Sequence, residues 1–551
     1  MKASMNIANL LRDEAAAQPR ARAVVFKTGR TPEGHPQYAH YTFDELDKRS
    51  DFLAHGMFAL GIRPKMKVLL MIRPSLDFYA LVFALFKIGA PPVMIDPGMG
   101  WPGFLKCVSQ VEPEAFIGVP EAHLLRIFCG RAFKSVRINI SLGRFCFWGG
   151  CRLADIPGKE EPYEIFRPEA GETAAILFTS GSTGPAKGVT YTHEIFATQI
   201  EQLRSLYHIG RGDIDLACFP LFSLFTVGLG ACAVVPKIDP THPADADPRE
   251  IIEPIENLGV TYSFGSPTLW DRVSRYCVRN NIKLHGLTRV IMAGSPVPGR
   301  VHDALLNHVL DRGAETYTPY GATESLPVAN FTGTEMLRET ASLTAQGRGM
   351  CVGKPVDITK IAIIRITDDP IETFTDDLRL PQGEIGEICA SGPCVTREYY
   401  RRPEATRLAK MHDASGALWH RIGDLAYLDE TGRIWFCGRK AHRVETSPGH
   451  LLFSVRCEAI FNAIPGVRRS ALVGIGHRPN QTPVIIIEPE PEQYRELTAN
   501  PKLFLDAAAA NPLTSEIHHV LFRHAFPVDV RHNAKINREE LSTWAQQLLK
   551  R

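Results

Sequence analysis

The stretch TSGSTGPAKG, residues 179–188, packs three glycines, four hydroxyl side chains (Thr179, Ser180, Ser182, Thr183) and Lys187 into ten positions. Successive backbone N–H groups in such a loop form a concavity suited to phosphate oxygens. Glycines (Gly181 and Gly184 here) let it close over a polyphosphate. It is not a Walker loop, which needs Gly-Lys-Ser/Thr in direct succession, because Lys187 stands between Ala186 and Gly188. A solvated Gly/Ser linker has the same composition, so the loop alone leaves both readings open.

Three further stretches offer partners. In TPYGATES (318–325), the Tyr320 ring can stack on a purine beside the Gly321 turn, and Thr323 can touch a phosphate. Glu324 can hold Mg²⁺ through oxygen ligation, its alternative being an ordinary loop carboxylate. In WHRIGDLAYLDETGRIWFCGRK (419–440), Asp424 follows a glycine turn, where it can accept ribose hydroxyls or act as a turn residue. Arg439 follows at a strand end. In RHNAKINREEL (531–541), Lys535 stands just ahead of a helix, where a plain surface lysine is the competing explanation.

These groups need a frame. KVLLMI (67–72), TAAILFTS (173–180) and TRVIMAGS (288–295) read as buried strands, and DFYALVFALFKIG (77–89) and YTHEIFATQIEQLRSLY (191–207) have helical spacing. Such alternation through most of the first 430 residues predicts βαβ units and mostly parallel sheets. The last hundred residues differ: RSALVGIG and TPVIIIEPE are strands with short turns, and NREELSTWAQQLLKR is an amphipathic helix. The expected organisation is a large α/β domain over residues 1–437, a joint at 438–441, and a small α+β domain over 442–551 that carries Lys535.

A chain of 551 residues exceeds what one core usually supports. Its 62 Lys and Arg against 60 acids leave +2, which argues against a nucleic-acid partner. Twelve cysteines without a CxxC pair read as reduced thiols. The start, MKASMNIANLLRDEAAAQPRARAVVF, has no apolar signal core and reads as an amphipathic helix and a strand. A cytoplasmic location is expected. The uncharged run at 216–236 is long enough for a bilayer, but its prolines and glycines favour a buried strand–turn–helix beside an apolar pocket.

In this order, and over essentially the whole chain, the four stretches resemble the adenylate-forming superfamily of acyl-CoA synthetases, luciferases and peptide-synthetase adenylation domains. The resemblance implies an AMP-forming ligase that uses Mg·ATP to convert a carboxylate into an acyl-adenylate and pyrophosphate. It implies that Thr179, Ser180, Gly181, Ser182, Thr183, Gly184 and Lys187 cover the outer phosphates. Gly294, Ser295 and Pro296 would line the adenine pocket with Tyr320 and Gly321 on its other face. Thr323 and Glu324 would meet the α-phosphate and Mg²⁺, Asp424 and Arg439 would bind ribose, and Lys535 would bridge carboxylate and α-phosphate. Thr179, Lys187, Glu324 and Lys535 are thus the expected catalytic set, closed by a small domain that rotates on the joint.

The chain departs from that pattern where a thiol would enter. Ala441 takes the pivot usually held by Asp or Lys, Glu445 stands where a tunnel lysine is common, and Ser223 replaces an aromatic–His pair after Phe222. Together with DPGMG (96–100), SPTLW and CGRKAHRVET, these features resemble the β-lactone synthetases of bacterial long-chain olefin biosynthesis. That likeness implies a 2-alkyl-3-hydroxy fatty acid whose own hydroxyl attacks the activated carbonyl. A multi-enzyme assembly with a condensing enzyme, a reductase and a β-lactone decarboxylase is also implied. Phe222, Phe225 and Trp270 are candidates for the acyl pocket, and His193 for a base, although core packing and a simply solvated histidine compete. A long-chain acyl-CoA or acyl-AMP ligase and a non-catalytic nucleotide-binding scaffold are the other readings.

Overall fold

The computed structural model describes residues 5–179, 186–529 and 535–550, the side chains of Pro97 and Thr179 excepted. Two seven-stranded sheets dominate the large N-terminal part. The first runs, edge to edge, Cys151–Arg152, Ile138–Ser141, Ala115–Gly118, Val68–Met71, Pro92–Ile95, Thr173–Thr179 and Lys187–Thr192. All its pairs are parallel except the last, Thr173–Thr179 with Lys187–Thr192, which is a hairpin. The second runs Glu315–Tyr317, Arg289–Met292, Tyr262–Gly265, Ile214–Ala217, Cys232–Val235, Arg22–Arg30 and Pro36–Thr42, again parallel until its final pair.

The short strands are apolar on both faces because helices cover both. The helix Leu76–Ile88 is buried nearly all round, as its run of Leu, Val, Ala and Phe requires. Ser75 caps its start by accepting from the Phe78 N–H, and Gly89 ends it in the left-handed region at φ +79°. The run 216–236 resolves into the end of one strand, the short helix Ser223–Gly228 and the strand Cys232–Val235. Among the described residues no helix is long and apolar enough to cross a membrane. All twelve cysteines are free thiols.

The parallel pattern does not extend as far as the sequence suggests. From Met350 the chain builds an antiparallel sheet in the order Met350–Cys351, Ile434–Arg439, Leu418–Leu428, Gly386–Ser391 and Lys360–Ile364. Few helices separate these strands, so hairpin connections suffice. Beyond it, Val467–Ile475, Thr482–Pro489 and His519–Phe522 form a small mixed sheet covered by Ser454–Asn462, Pro501–Ala509 and Arg538–Leu549. Its apolar clusters draw only on residues from Val444 onward. The two parts approach closely at Gly438 (φ +136°), where a Cβ would lie 2.4 Å from Ser454 Oγ.

Candidate active site

A cavity of about 910 Å³ opens between the two parts, and its wall takes residues from both. Lys187, Gly294, Ser295, Tyr320, Glu324 and Asp424 line it from the large part, Lys535 and Arg538 from the small one. Pro296, Gly321, Thr323, Arg439, Phe222 and Phe225 also border it. Residues hundreds of positions apart in sequence therefore face one space.

Hairpin register does much of this positioning. Thr179 and Lys187 are direct cross-strand partners at the end of their antiparallel pair. Ser180, Gly181, Ser182, Thr183 and Gly184 lie outside the described residues. Tyr320–Ala322 pairs with Ser325–Asn330 so that Ala322 faces Ser325, leaving Thr323 and Glu324 as the two-residue tip. Asp424 and Arg439 are opposed across the antiparallel pair Leu418–Leu428 and Ile434–Arg439.

The tip is fixed from behind. The Tyr191 hydroxyl donates to the Thr323 carbonyl at 2.5 Å, and the Thr396 N–H donates to the Glu324 carbonyl at 2.9 Å. The Tyr399 hydroxyl donates to Glu324 Oε1 at 2.5 Å. Burial and the Glu324 charge both raise Tyr399, so it keeps its proton and acts as donor. Its ring also carries Lys187, whose Nζ lies 4.7 Å from the centroid. The neighbouring Tyr400 N–H donates to the Gly188 carbonyl at 2.8 Å, so this segment is tied to the Lys187 strand. One residue thereby orients both a carboxylate and a cation of the cavity.

At the second corner the Tyr320 hydroxyl donates to Asp424 Oδ2 at 2.6 Å, and Arg439 Nη1 lies 2.9 Å from Oδ1. Burial pushes the Asp424 carboxyl up; the Arg439 guanidinium and the Tyr320 hydroxyl oppose that push. The carboxylate in turn holds Arg439 charged. Arg439 sits off the line of a hydrogen bond, so among the described residues Asp424 Oδ1 has no hydrogen-bond partner, and neither do the buried Ser295 Oγ and Thr318 Oγ1. Three buried polar atoms on one cavity wall are a donor and acceptor set awaiting a polar ligand. A ribose and a base edge fit them.

No group of three or more metal-ligating side chains occurs among the described residues. A single carboxylate, Glu324, suits Mg²⁺, which keeps most of its shell for water and substrate phosphates. The donor set therefore fits a magnesium nucleotide, which the Glu324 carboxylate could hold.

The small part supplies Lys535, whose N–H donates to Asp529 Oδ1 at 2.9 Å. Beside it Arg538 pairs with buried Glu458 at 2.7 Å. Near the joint, Lys440 and buried Arg421 share Glu387, at 3.1 and 2.6 Å. The Arg478 guanidinium donates to the Ala441 and Arg443 carbonyls, and Arg443 reaches Asp368 at 2.6 Å.

The other end of the cavity is aromatic. Phe222 packs against Phe264 and Phe225 with centroids 4.9 and 5.9 Å apart, and Phe219 against Phe264 at 5.6 Å. Two sequence candidates do not belong here. Trp270 is fully buried with Leu269, Val273, Cys277 and Met292, on the inner face of the helix Pro267–Asn280, and does not line the cavity. His193 is also buried; its Nδ1 accepts from the Ile7 N–H at 3.2 Å and its ring packs on Phe86. Burial lowers its pKa to about 4. It is a packing residue, off the cavity wall.

Sequence reasoning missed Tyr399, because nothing in REYYRRPE marks one tyrosine as special. It also missed Lys410, a buried amine lowered to about 7 by burial, 3.4 Å from Thr396 Oγ1 behind the Glu324 tip.

The AMP-binding enzyme family matches residues 11–400. Over 99% of both chains, the sequence is 42% identical to the olefin β-lactone synthetase of Stenotrophomonas maltophilia (strain K279a). It is also 42% identical, over 98% of both chains, to the olefin β-lactone synthetase of Xanthomonas campestris pv. campestris. Among solved structures, an amide bond synthetase from Marinactinospora thermotolerans superposes with a TM-score of 0.78 at 21% identity, covering 98% of this chain and 99% of that one.

Proposed function

The chain belongs to the AMP-binding enzyme family, and from that premise we propose that it converts a long-chain 2-alkyl-3-hydroxy acid into a β-lactone. The acid's carboxylate attacks the α-phosphorus of ATP and pyrophosphate leaves. The 3-hydroxyl oxygen then attacks the acyl carbonyl of the adenylate, AMP leaves, and the hydroxyl proton passes to solvent or phosphate. Lactone formation is supported by two relatives, 42% identical over nearly the whole chain, that are named olefin β-lactone synthetases.

The observation that carries the reading is one continuous cavity with a charged end, holding Glu324, Asp424, Lys187 and Lys535, and an aromatic end at Phe222 and Phe225. Two anions must meet at the first, so cations and oriented donors dominate its catalysis. Lys535 bridges carboxylate and α-phosphate in this scheme. Lys187 and the loop from Thr179 hold the outer phosphates, Asp424 and Arg439 the ribose, and Gly294, Ser295, Pro296 and Tyr320 the base. Bound Mg²⁺ would neutralise phosphate charge beside Glu324.

The second half-reaction needs no outside nucleophile. A hydroxyl on the acid itself is held next to the activated carbonyl, and such intramolecular attack is favoured by large effective concentrations. We read the joint in the same sense: Ala441 stands where the resemblance places a charged pivot residue. We further propose that the enzyme works in the cytoplasm, alongside the condensing enzyme, reductase and decarboxylase that such an acid and lactone require.

The test compares a 3-hydroxy acid with its 3-deoxy analogue, without coenzyme A. Continuous AMP release with the first, and a halt after one enzyme equivalent of adenylate with the second, is the expected result. Equal turnover of both acids would remove the hydroxyl from the scheme.

A further inference from the structure

We propose that the face built by the helix Pro120–Phe128 and the loop at 143–150 docks this enzyme reversibly on an anionic lipid bilayer. Fourteen large apolar side chains are exposed among the described residues, and the three most exposed are Phe128 (84%), Phe147 (77%) and Phe145 (68%). Leu124, one helical turn back from Phe128, and Ile127, directly before it, are exposed as well.

The loop does not lie there loosely. Trp148 stacks on the buried His123 ring at 5.2 Å, its carbonyl accepts from Arg126 Nη2 at 3.2 Å, and Phe147 packs edge-on against Trp148 at 4.5 Å. The helix thus anchors the loop while the two phenylalanine tips point away from the core. Exposed apolar surface of this kind marks an interaction site.

Charge selects the occupant. No Asp or Glu occurs between Glu121 and Asp155, while Arg131, Lys134, Arg137 and Arg144 are exposed and make no ion pair among the described residues. Arg144 directly precedes Phe145, and Arg131 follows Phe128 by three residues, just past the helix end. Aromatic tips that enter the headgroup region, rimmed by cations that meet anionic lipid, are the chemistry of a peripheral membrane surface. A protein partner would more usually meet a flat apolar core with charged groups depleted from it. A long-chain acid substrate would be concentrated at the same interface.

The test is sedimentation of the full-length protein with vesicles of phosphatidylcholine alone or mixed with phosphatidylglycerol. Binding to the mixed vesicles that weakens with salt is expected. The double variants Phe145→Ser/Phe147→Ser and Arg131→Glu/Arg144→Glu should each weaken it by at least about tenfold. Adenylate formation from a water-soluble acid should be unchanged in both, since none of these residues lines the cavity. Absence of binding at low salt, or binding that neither variant affects, would overturn the proposal. So would a wild-type oligomer that the variants dissociate without any lipid association, which would make the face a contact between proteins.

Discussion

The two ends of the cavity are built on opposite plans. At the charged end side chains hold one another in fixed directions: Glu324 accepts from Tyr399, Lys187 lies over the same ring, and Asp424 stands between Tyr320 and Arg439. At the aromatic end Phe219, Phe222, Phe225 and Phe264 touch one another without polar direction. Hydrogen bonds and ion pairs fix orientation, which transition-state stabilisation needs. Apolar contact scales with area and tolerates reshaping. Chemistry should therefore fail sharply when the first end is altered, and selectivity should drift gradually when the second is.

The largest effect falls on the cation from the small domain. Lys535→Ala should lower the adenylation rate about 10²–10³-fold, as loss of one transition-state donor does, measured by pyrophosphate exchange with the melting temperature unchanged. An unaffected rate would remove Lys535 from the charged end. Tyr399→Phe comes next. A hydrogen bond to a charged group is worth about 1.5–3 kcal/mol, so kcat should fall roughly 10- to 100-fold and the Mg²⁺ requirement should rise. A variant as active as the parent would mean that the rigid carboxylate at that end is dispensable.

Phe225→Ala probes the other plan. It should reduce kcat/KM for a long-chain acid about tenfold, from roughly 1.5 kcal/mol of lost apolar contact, and leave KM for ATP unchanged. A matching loss for ATP would mean that the two ends are not independent.

His193→Asn is the smallest effect on rate. The folded-state pKa of about 4 lies below the ordinary value. The unfolded chain therefore binds the proton first as pH falls, and stability is lost between about 6.5 and 4 while staying flat above. The full contribution is about 3 kcal/mol, shared in kind with buried His302, also lowered to about 4. Asparagine can still accept from the Ile7 N–H, so the urea midpoint should change less between pH 7 and pH 5 than in the parent. Turnover should change by less than about tenfold, whereas loss of a true general base would cost about 10²–10⁴.

At the charged end the candidate residues could be named from residue types at short spacings, and the structure brings Lys187, Glu324, Asp424 and Lys535 to one cavity. Thr323 and Glu324 are adjacent in sequence, and the structure makes them the tip of a hairpin. Asp424 and Arg439 could be named but not paired, since their opposition depends on a register that motifs do not encode. Tyr399 was invisible because its role arises from a strand-side contact with residues over seventy positions away. At the aromatic end the errors had a readable cause. Leu269, Trp270, Val273 and Cys277 share one helical stripe, the signature of a core face. His193 opens a helix capped by Thr192 and is drawn inward with Ile195 and Phe196. The antiparallel sheet from Met350 was hidden because short apolar runs look alike in both sheet types.

The most direct test of the account is to identify the product. Purified protein, Mg·ATP and a long-chain 2-alkyl-3-hydroxy acid would be incubated with and without coenzyme A, and the products characterised by mass and NMR. AMP and an acid that has lost one water to form a four-membered lactone, at the same rate in both, are the expected products. A thioester formed only when coenzyme A is present would contradict lactone closure.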